Sequence, residues 1–498
     1  MKDTTFLLEE MMPAKTQKTP LLVEGSYSVE KVNELNFFDL SGENANTKGT
    51  SNKMYHAELH IAKQGPKAQI FTMWGATGTV QRKEWRYYNS INDAKKDYEK
   101  ILKGKRKKGY KDIDVAQRVI GSEDAKKITK PVKLKNMDKV ATSSKLHSET
   151  SRLISSLIGS TNNFVKATLK CPLGQLSNDQ IESGRKCLDD ARSIIGDGIQ
   201  ITPAKEKKLL DITNQFYALI PHNLGSGSRG KLVNLLLDSK SKIDVKEYDL
   251  DTLLDAKAMG INLNDSSVDT QYASINTDLE YIDHSDSSFK WLNHFIRHTR
   301  ASNHRHLGDV ILLNAWEVNR HGEDAVFTKT AKKIAEACGG QVVPEKLYNI
   351  VQKRPDGNTS LHKKANIIPL FHGTRTQNVS GIFKRGILIR PSGVVITGAM
   401  YGNGAYYAQH STKSINYTSI KSSYWAKGGE DKGYLFIADC ILGNQKIAQG
   451  SHQYSAKNIA PDHSVWAKSG KSGVLNDEFM IYDVKQQQLR YILEFTCK

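Results

Sequence analysis

The sequence predicts an α+β protein of several domains: a small α+β unit, then an all-α bundle, then a β-rich domain. Three observations carry this. Residues 27–122 pair alternating strand patterns with one amphipathic helix. Residues 148–265 repeat apolar side chains at spacings of three and four, the mark of helices throughout. Residues 266–498 set short apolar runs among glycine-rich turns.

In the first unit, YHAELHIA (55–62) and QIFTMW (69–74) alternate, and the GPK at 65–67 between them reads as a hairpin turn. NSINDAKKDYEKILKGKRKKGY follows as a helix with Ile91, Ala94, Tyr98, Ile101 and Leu102 on one face. Its other face is basic and runs into KGKRKKGYK, which leaves three readings open: phosphate binding, a nuclear import signal, or a solvated end. Residues 1–26 mix Lys, Thr, Pro and acids without period and read as a flexible tail. Residues 123–147 are polar and Lys-rich and read as a linker.

In the bundle, Ser177 opens SNDQ, a capping-box pattern, ahead of a stripe of Ile181, Leu188, Ala191 and Ile195. Thr202-Pro203 supplies the next N-cap and first-turn proline. Leu209, Ile212, Phe216 and Leu219 follow, and Pro221 stops the helix. These stripes are core, not chemistry. In the last domain, 365–373, 433–442, 477–483 and 489–495 read as strands with few helices between them.

Composition narrows the function. The formal charge is +18, and the segment from Arg82 to Lys145 holds 20 Lys and Arg against 9 Asp and Glu. Such localised charge is the footprint of a polyanion partner. No apolar run approaches the roughly 18 residues of a membrane span, and the N-terminus does not read as a signal peptide. The expected setting is therefore intracellular, without membrane contact. Cys171, Cys187, Cys338, Cys440 and Cys497 are far apart and form no CxxC pair, so no structural zinc is expected.

The chemistry concentrates in the last domain. LFHGTRTQN (370–378) ends an apolar strand on His372 and Gly373. MYGNGAYYAQHSTKSINY (400–417) sets glycines beside tyrosines, with Ser414 and Tyr417 following. NDEF (476–479) puts Glu478 among apolar neighbours, where a carboxylate needs a partner or a purpose. One ligand suits all three. A nicotinamide carboxamide takes one donor and one acceptor from a glycine backbone, and the Ser414 hydroxyl completes the set. The cationic ring takes an aromatic face from Tyr417 or Tyr406. Loss of nicotinamide passes through an oxocarbenium-like state that one carboxylate, Glu478, stabilises.

These motifs resemble the catalytic domain of poly(ADP-ribose) polymerases, of the diphtheria-toxin-like ADP-ribosyltransferase fold. FHGTR resembles the family's His-Gly-Ser-Arg strand, GNGAYYAQHSTKSINY its glycine-rich strand and helix, and NDEFMIYD its glutamate strand. The resemblance implies a catalytic triad of His372, Tyr406 and Glu478. It implies nicotinamide contacts from Gly373, Ser414 and Tyr417, and adenosine-side contacts from His372, Thr374 and Asn378. It also makes Lys413 an acceptor-positioning residue. Leu388 stands where relatives carry an Arg near the adenosine, and Arg390 is the expected substitute. Asn476 stands where an aromatic is common near the acceptor.

Upstream, LSNDQIESGRKCLDDARSIIG and FYALIPHNLG resemble the family's helical regulatory domain, and FTMWGATGTV its WGR domain. The implied division is a WGR domain at 27–122, a helical regulatory domain at 148–265 and a transferase domain at 266–498. The WGR resemblance and basic tract imply DNA contacts from Trp74, Gly75, Lys105, Arg106 and Lys107, although Ala76 replaces the arginine of the motif. The pattern is that of the shorter members without zinc fingers. The implied activity is NAD-dependent poly(ADP-ribosyl) transfer to itself and other proteins. NAD is the substrate, no metal is needed, DNA strand breaks activate, and the setting is the nucleus, or the nucleoid or host DNA for a prokaryotic or viral source. Mono-transfer and DNA-independent activity are the alternatives. A non-catalytic DNA-binding scaffold fits poorly with an intact triad, and an oxidoreductase lacks a GxGxxG after a first strand.

Overall fold

The structure is a computed structural model describing residues 16–17, 22–23, 25–39, 51–76, 82–113, 146–169, 176–196, 202–223, 235–258, 267–338, 354–355, 360–389 and 400–498. It is α+β, in two compact units: residues 1–137 with 165–254, and 138–164 with 255–498.

The first unit is built on a six-stranded antiparallel sheet, ordered β1 (Thr16–Gln17), β5 (Arg82–Tyr88), β4 (Ala68–Ala76), β3 (Ser51–Ala62), β2 (Tyr27–Asp39) and β6 (Lys111–Ile113). β3 and β4 form the expected hairpin. Helix α1 (Ile91–Lys107) starts at Ser90, whose side chain accepts from the Asp93 N–H. Its buried Ala94, Tyr98 and Leu102 pack on Leu35, Tyr55, Ala57, Leu59, Ile70 and Tyr88. Period-two alternation sends the intervening residues to the opposite face, which buries polar groups instead. There the Glu58 carboxylate lies between His56 Nε2 at 2.9 Å and His60 Nε2 at 2.6 Å, and Gln69 reaches His60 Nδ1 at 2.9 Å. Tyr27 stacks on the His60 ring at 4.2 Å. Burial alone would raise the Glu58 carboxyl, but the two imidazoles outweigh it and hold it down to about 2.

One expectation is corrected here. Thr16–Gln17 form a strand on Trp85 and Arg86, and the Leu22 backbone exchanges two hydrogen bonds with the Gln69 amide. Part of the expected tail is therefore paired, because β5 offers it an open edge. The expected linker lies outside the described residues apart from 146–147.

Helices α2 (Ser148–Thr168), α3 (Asn178–Ile195), α4 (Pro203–Leu219) and α5 (Lys240–Ala258) follow, as the periodicity predicts. Ile181, Leu188, Ala191 and Ile195 are buried. Thr202 caps α4 through the Lys205 N–H, ahead of Pro203. Ser177 caps α3 by accepting from the Gln180 N–H. The box is not closed, however: the Gln180 amide donates to the Leu219 carbonyl of α4, satisfying that helix's C-terminus instead. Arg192 binds both Asp244 and Glu247 of α5 at 2.9 Å.

The second unit holds two sheets. The larger is antiparallel, ordered β7 (Thr277–Tyr281), β8 (Val310–Arg320), β15 (Gln487–Cys497), β11 (Gly433–Ile441) and β9 (Ile367–Gly373). The smaller is ordered β10 (Ala405–Tyr407), β14 (Glu478–Ile481), β13 (Ser464–Ala467) and β12 (Gln445–Ile447). β11 is buried along its whole length, including Asp439, which pairs with Arg354 at 2.6 Å. The unit is more helical than expected. It contains α6 (Val268–Ser274), α7 (Ser287–His298), α8 (Glu323–Ala337), α9 (Ser360–Ala365), α10 (Thr376–Arg385), α11 (Ser411–Ile415) and α12 (Ala456–Ile459). Most are short or sit at the ends of strands, where periodicity has little length to register. Among the described residues no helix is long and apolar enough to cross a membrane, and no cluster of His, Cys, Asp and Glu has metal-binding geometry.

Candidate active site

The two sheets of the second unit are joined where β9 meets β10. Phe371 of β9 and Ala408, just past β10, exchange backbone hydrogen bonds of 2.9 and 3.0 Å. Every residue proposed for catalysis lies within a few positions of that seam or on a strand paired to it. His372 is the next residue of β9, and its Nδ1 lies 3.1 Å from the Tyr406 carbonyl of β10. β10 pairs with β14 so that Tyr406 faces Met480 and Tyr407 faces Phe479, leaving Glu478 at the strand's open end. β13 on the other side pairs Ala467 with Glu478, which fixes the strand's height.

Glu478 is paired. Its Oε1 accepts from Lys413 Nζ at 2.9 Å, and the two side chains are 15% and 12% exposed. The same ammonium donates to the Asn476 carbonyl at 2.5 Å. Lys413 rides on α11, which follows the glycine-rich stretch. Burial lowers the Lys413 ammonium below its ordinary value, and Glu478 opposes that shift. Burial likewise lowers the His372 imidazole, which the Tyr406 carbonyl partly offsets, so the ring is neutral at neutral pH. A neutral ring donating from Nδ1 to that carbonyl leaves Nε2 as an acceptor. The Tyr406 hydroxyl donates to the Gly402 carbonyl at 2.7 Å, accepts from the Tyr401 N–H, and is raised by burial.

Two glycines are sterically required. A Cβ on Gly373 would lie 1.8 Å from the Ser414 carbonyl oxygen. A Cβ on Gly402, at φ +84°, would lie 2.0 Å from the Tyr454 oxygen. Gly373 thus lets β9 and α11 touch backbone to backbone. Ser414 is buried and donates to the Phe371 carbonyl at 2.9 Å. Tyr417, one turn on, is 40% exposed. Asn378 of α10 reaches the Thr374 hydroxyl at 3.3 Å. Arg390 lies outside the described residues, and Leu388 is exposed in irregular chain rather than in a strand.

Comparison with known proteins finds three matching domains along the chain. Residues 286–497 match the poly(ADP-ribose) polymerase catalytic domain, 144–279 the poly(ADP-ribose) polymerase regulatory domain, and 38–117 the WGR domain. The chain belongs to the poly(ADP-ribose) polymerase family. Poly [ADP-ribose] polymerase 1 of Gallus gallus is 26% identical over 99% of this chain and 50% of its own length. The Drosophila melanogaster poly [ADP-ribose] polymerase is 25% identical over 90% of this chain and 44% of its own. Human poly [ADP-ribose] polymerase 2 is 23% identical over 92% of this chain and 79% of its own. The chain spans about half the length of the first of these relatives.

Sequence reading missed the far side of this polymerase-family site. His304 Nδ1 lies 3.2 Å from the Thr412 hydroxyl, and its Nε2 lies 3.3 Å from the Asn476 amide. Asn303 accepts from that amide at 3.1 Å. Burial, then His306, His410 and Lys413, lower His304 below the usual imidazole range. No local signal marks these residues, since more than 170 positions separate His304 from Asn476.

In the first unit, the residues expected to contact DNA separate into two groups. Lys105 Nζ sits 3.7 Å above the Tyr55 ring, whose other neighbour is Trp74 at 6.2 Å. Burial, then Lys108 and Arg86, bring the Lys105 ammonium down to about 8. Arg106 is instead tied to Asp112 by hydrogen bonds of 2.6 and 2.8 Å. Lys107 is exposed at the end of α1, and Gly75 and Ala76 close β4.

Proposed function

We propose that this protein is an NAD-dependent ADP-ribosyltransferase that builds poly(ADP-ribose) on itself and on other proteins in response to DNA strand breaks. The observation that carries the reading is the largely buried Glu478–Lys413 pair, 2.9 Å apart beside His372 and Tyr406. A carboxylate held in one orientation, in a place that admits little water, suits a developing ribose cation. Glu478 stabilises that cation and orients the incoming hydroxyl. Lys413 fixes the carboxylate and the Asn476 end of the strand. Gly373 presents its backbone to the carboxamide, with Ser414 alongside and Tyr417 and Tyr406 at the ring faces. His372, Thr374 and Asn378 hold the adenosine half, with Arg390 assigned there by sequence. No residue in this scheme calls for a metal.

The DNA reading rests on the basic segment, the WGR match and the cluster of Lys105 over Tyr55 and Trp74. Lys105, Arg106 and Lys107 supply phosphate contacts, and Trp74 and Gly75 shape the surface. The regulatory match is the segment that would hold activity back until DNA binds, a shift between a less active and a more active population. The expected setting is the nucleus. Asn476 favours a second reading, mono-transfer, because a short polar side chain offers no stacking face to an incoming chain. Automodification with labelled NAD, with and without a nicked duplex, tests both. A ladder that appears only with DNA supports the polymerase; a single band with or without DNA overturns chain building.

A further inference from the structure

Lys413 holds Glu478 from the front, and a second set of contacts holds the same strand from behind. Successive residues of a strand point to opposite sides. Glu478 and Met480 share one side, with Glu478 on Lys413 and Met480 packed among Tyr401 and Tyr482. Asp477 and Phe479 share the other. There Phe479 lies opposite Trp466 of β13, and the two buried rings run nearly parallel at 5.6 Å. Stacking fixes the plane of the Trp466 indole, and so fixes the direction of its N–H.

Asp477, immediately before β14, is 7% exposed. A carboxylate buried to that extent has to be matched by donors. Each of its oxygens receives one. Trp466 Nε1 donates to Oδ2 at 2.9 Å, and the Ser469 N–H donates to Oδ1 at 2.8 Å. The first bond ties Asp477 across to β13. The second ties it to the loop between β13 and β14, which the Ser469 hydroxyl closes on the Leu475 carbonyl at 2.8 Å. An asparagine accepts through one oxygen alone, so it cannot serve both donors. The residues on either side of Asp477 are the two that Lys413 holds. Its ammonium donates to the Asn476 carbonyl at 2.5 Å and to Glu478 Oε1 at 2.9 Å. Asp477 therefore fixes the backbone between two contacts of one ammonium. Its charge reaches that ammonium as well: burial lowers Lys413, Glu478 raises it, and Asp477 raises it further.

We propose that Asp477, clamped by the Trp466 indole and the Ser469 N–H, is a positioning residue for transfer that acts through Glu478 and Lys413. This rests on the transferase reading above. The clamp sets the height and direction at which the Glu478 carboxylate meets the reacting ribose. Without either bond the Asn476–Glu478 backbone is free to turn, and Glu478 leaves the orientation that Lys413 imposes. A displacement of about 1 Å at such a group is enough to cost about a hundredfold in rate.

The test uses the full chain with Asp477→Asn, with Trp466→Phe, which keeps the stacked ring and removes only the indole N–H, and with both changes together. Calorimetric titration with NAD counts the competent sites, so that misfolded protein is not taken for slow enzyme. The kcat and KM of nicotinamide release are then followed from neutral to alkaline pH. In both single variants kcat per competent site is expected to fall about 10–100-fold with KM for NAD unchanged. The double variant loses no more than Asp477→Asn alone, because the two residues act as one unit. The charged or titratable groups acting around Lys413 are Glu478, Asp477 and His304. Asp477 favours the charged ammonium, so without it the proton leaves at lower pH. The alkaline limb of kcat therefore moves down in Asp477→Asn and stays in place in Trp466→Phe. A kcat per competent site within about twofold of the unmutated protein in either single variant overturns the proposal, as do losses that multiply in the double variant. So does an alkaline limb that Asp477→Asn leaves in place, which makes Asp477 a loop staple only, or a raised KM for NAD, which makes it part of the donor site. Failure of the transferase reading is separate: the unmutated protein then releases no nicotinamide from NAD.

Discussion

Glu478→Gln separates charge from shape at the centre of the proposed mechanism. The carboxylate and the Lys413 ammonium are 2.9 Å apart and mostly shielded from water. At an effective dielectric of about 20 their attraction is about 6 kcal/mol before desolvation is subtracted. Removing one partner of a buried pair leaves the other uncompensated, at a net cost of about 3 kcal/mol. Burial already depresses Lys413, and Glu478 opposes it, so the variant's ammonium loses its proton more readily. NAD affinity measured by calorimetry is expected to stay within about threefold, under 1 kcal/mol. Transfer of labelled ADP-ribose is expected to fall by about 10²–10³, the usual loss when a group aimed at developing charge is removed. Adding Lys413→Met to the same chain is expected to restore thermal stability without restoring transfer. Transfer within tenfold of the unmutated protein refutes the assignment of Glu478, and lost NAD binding would show that shape changed as well.

Three further outcomes follow from the geometry. Glu58 is held down to about 2 from an ordinary 4.5, which corresponds to about 3 kcal/mol of stability. That stability is fully present above pH 4.5 and is lost as pH falls toward 2. Glu58→Gln should therefore lower denaturant stability at pH 7 by that amount and flatten the acid limb; parallel profiles in the two proteins contradict the His56–Glu58–His60 account. Gly373→Ala places a methyl 1.8 Å from the Ser414 oxygen and forces α11 off β9. It is expected to reduce nicotinamide release at least a hundredfold with a lower melting temperature, and normal release would mean the two backbones need not touch. Lys105, with its ammonium near 8, gains charge as pH falls from 9 to 7. Duplex affinity should rise over that range and become flat in Lys105→Arg, while Lys105→Ala should reduce the salt slope by about 0.9; an unchanged slope places the phosphates elsewhere.

Features whose physics is local were legible along the chain. Alternation marked β3 and β4, and the stripe of Ala94, Tyr98 and Leu102 marked α1. Caps at Ser177 and Thr202 fixed where two helices begin, because a side-chain oxygen needs only the next turn's N–H. The three short motifs were legible because a glycine, a tyrosine or a glutamate in such surroundings is chemically unusual wherever it folds. Which of these groups meet depends on the fold. The pairing of Glu478 with Lys413, of Gly373 with Ser414, and of His304 with Asn476 joins residues far apart in the chain, the last pair by 172 positions. Such contacts depend on strand order and register, and nothing in a side chain's own neighbourhood along the chain encodes its partner across a sheet. The same holds for Gln180, whose amide left its own helix cap for the Leu219 carbonyl.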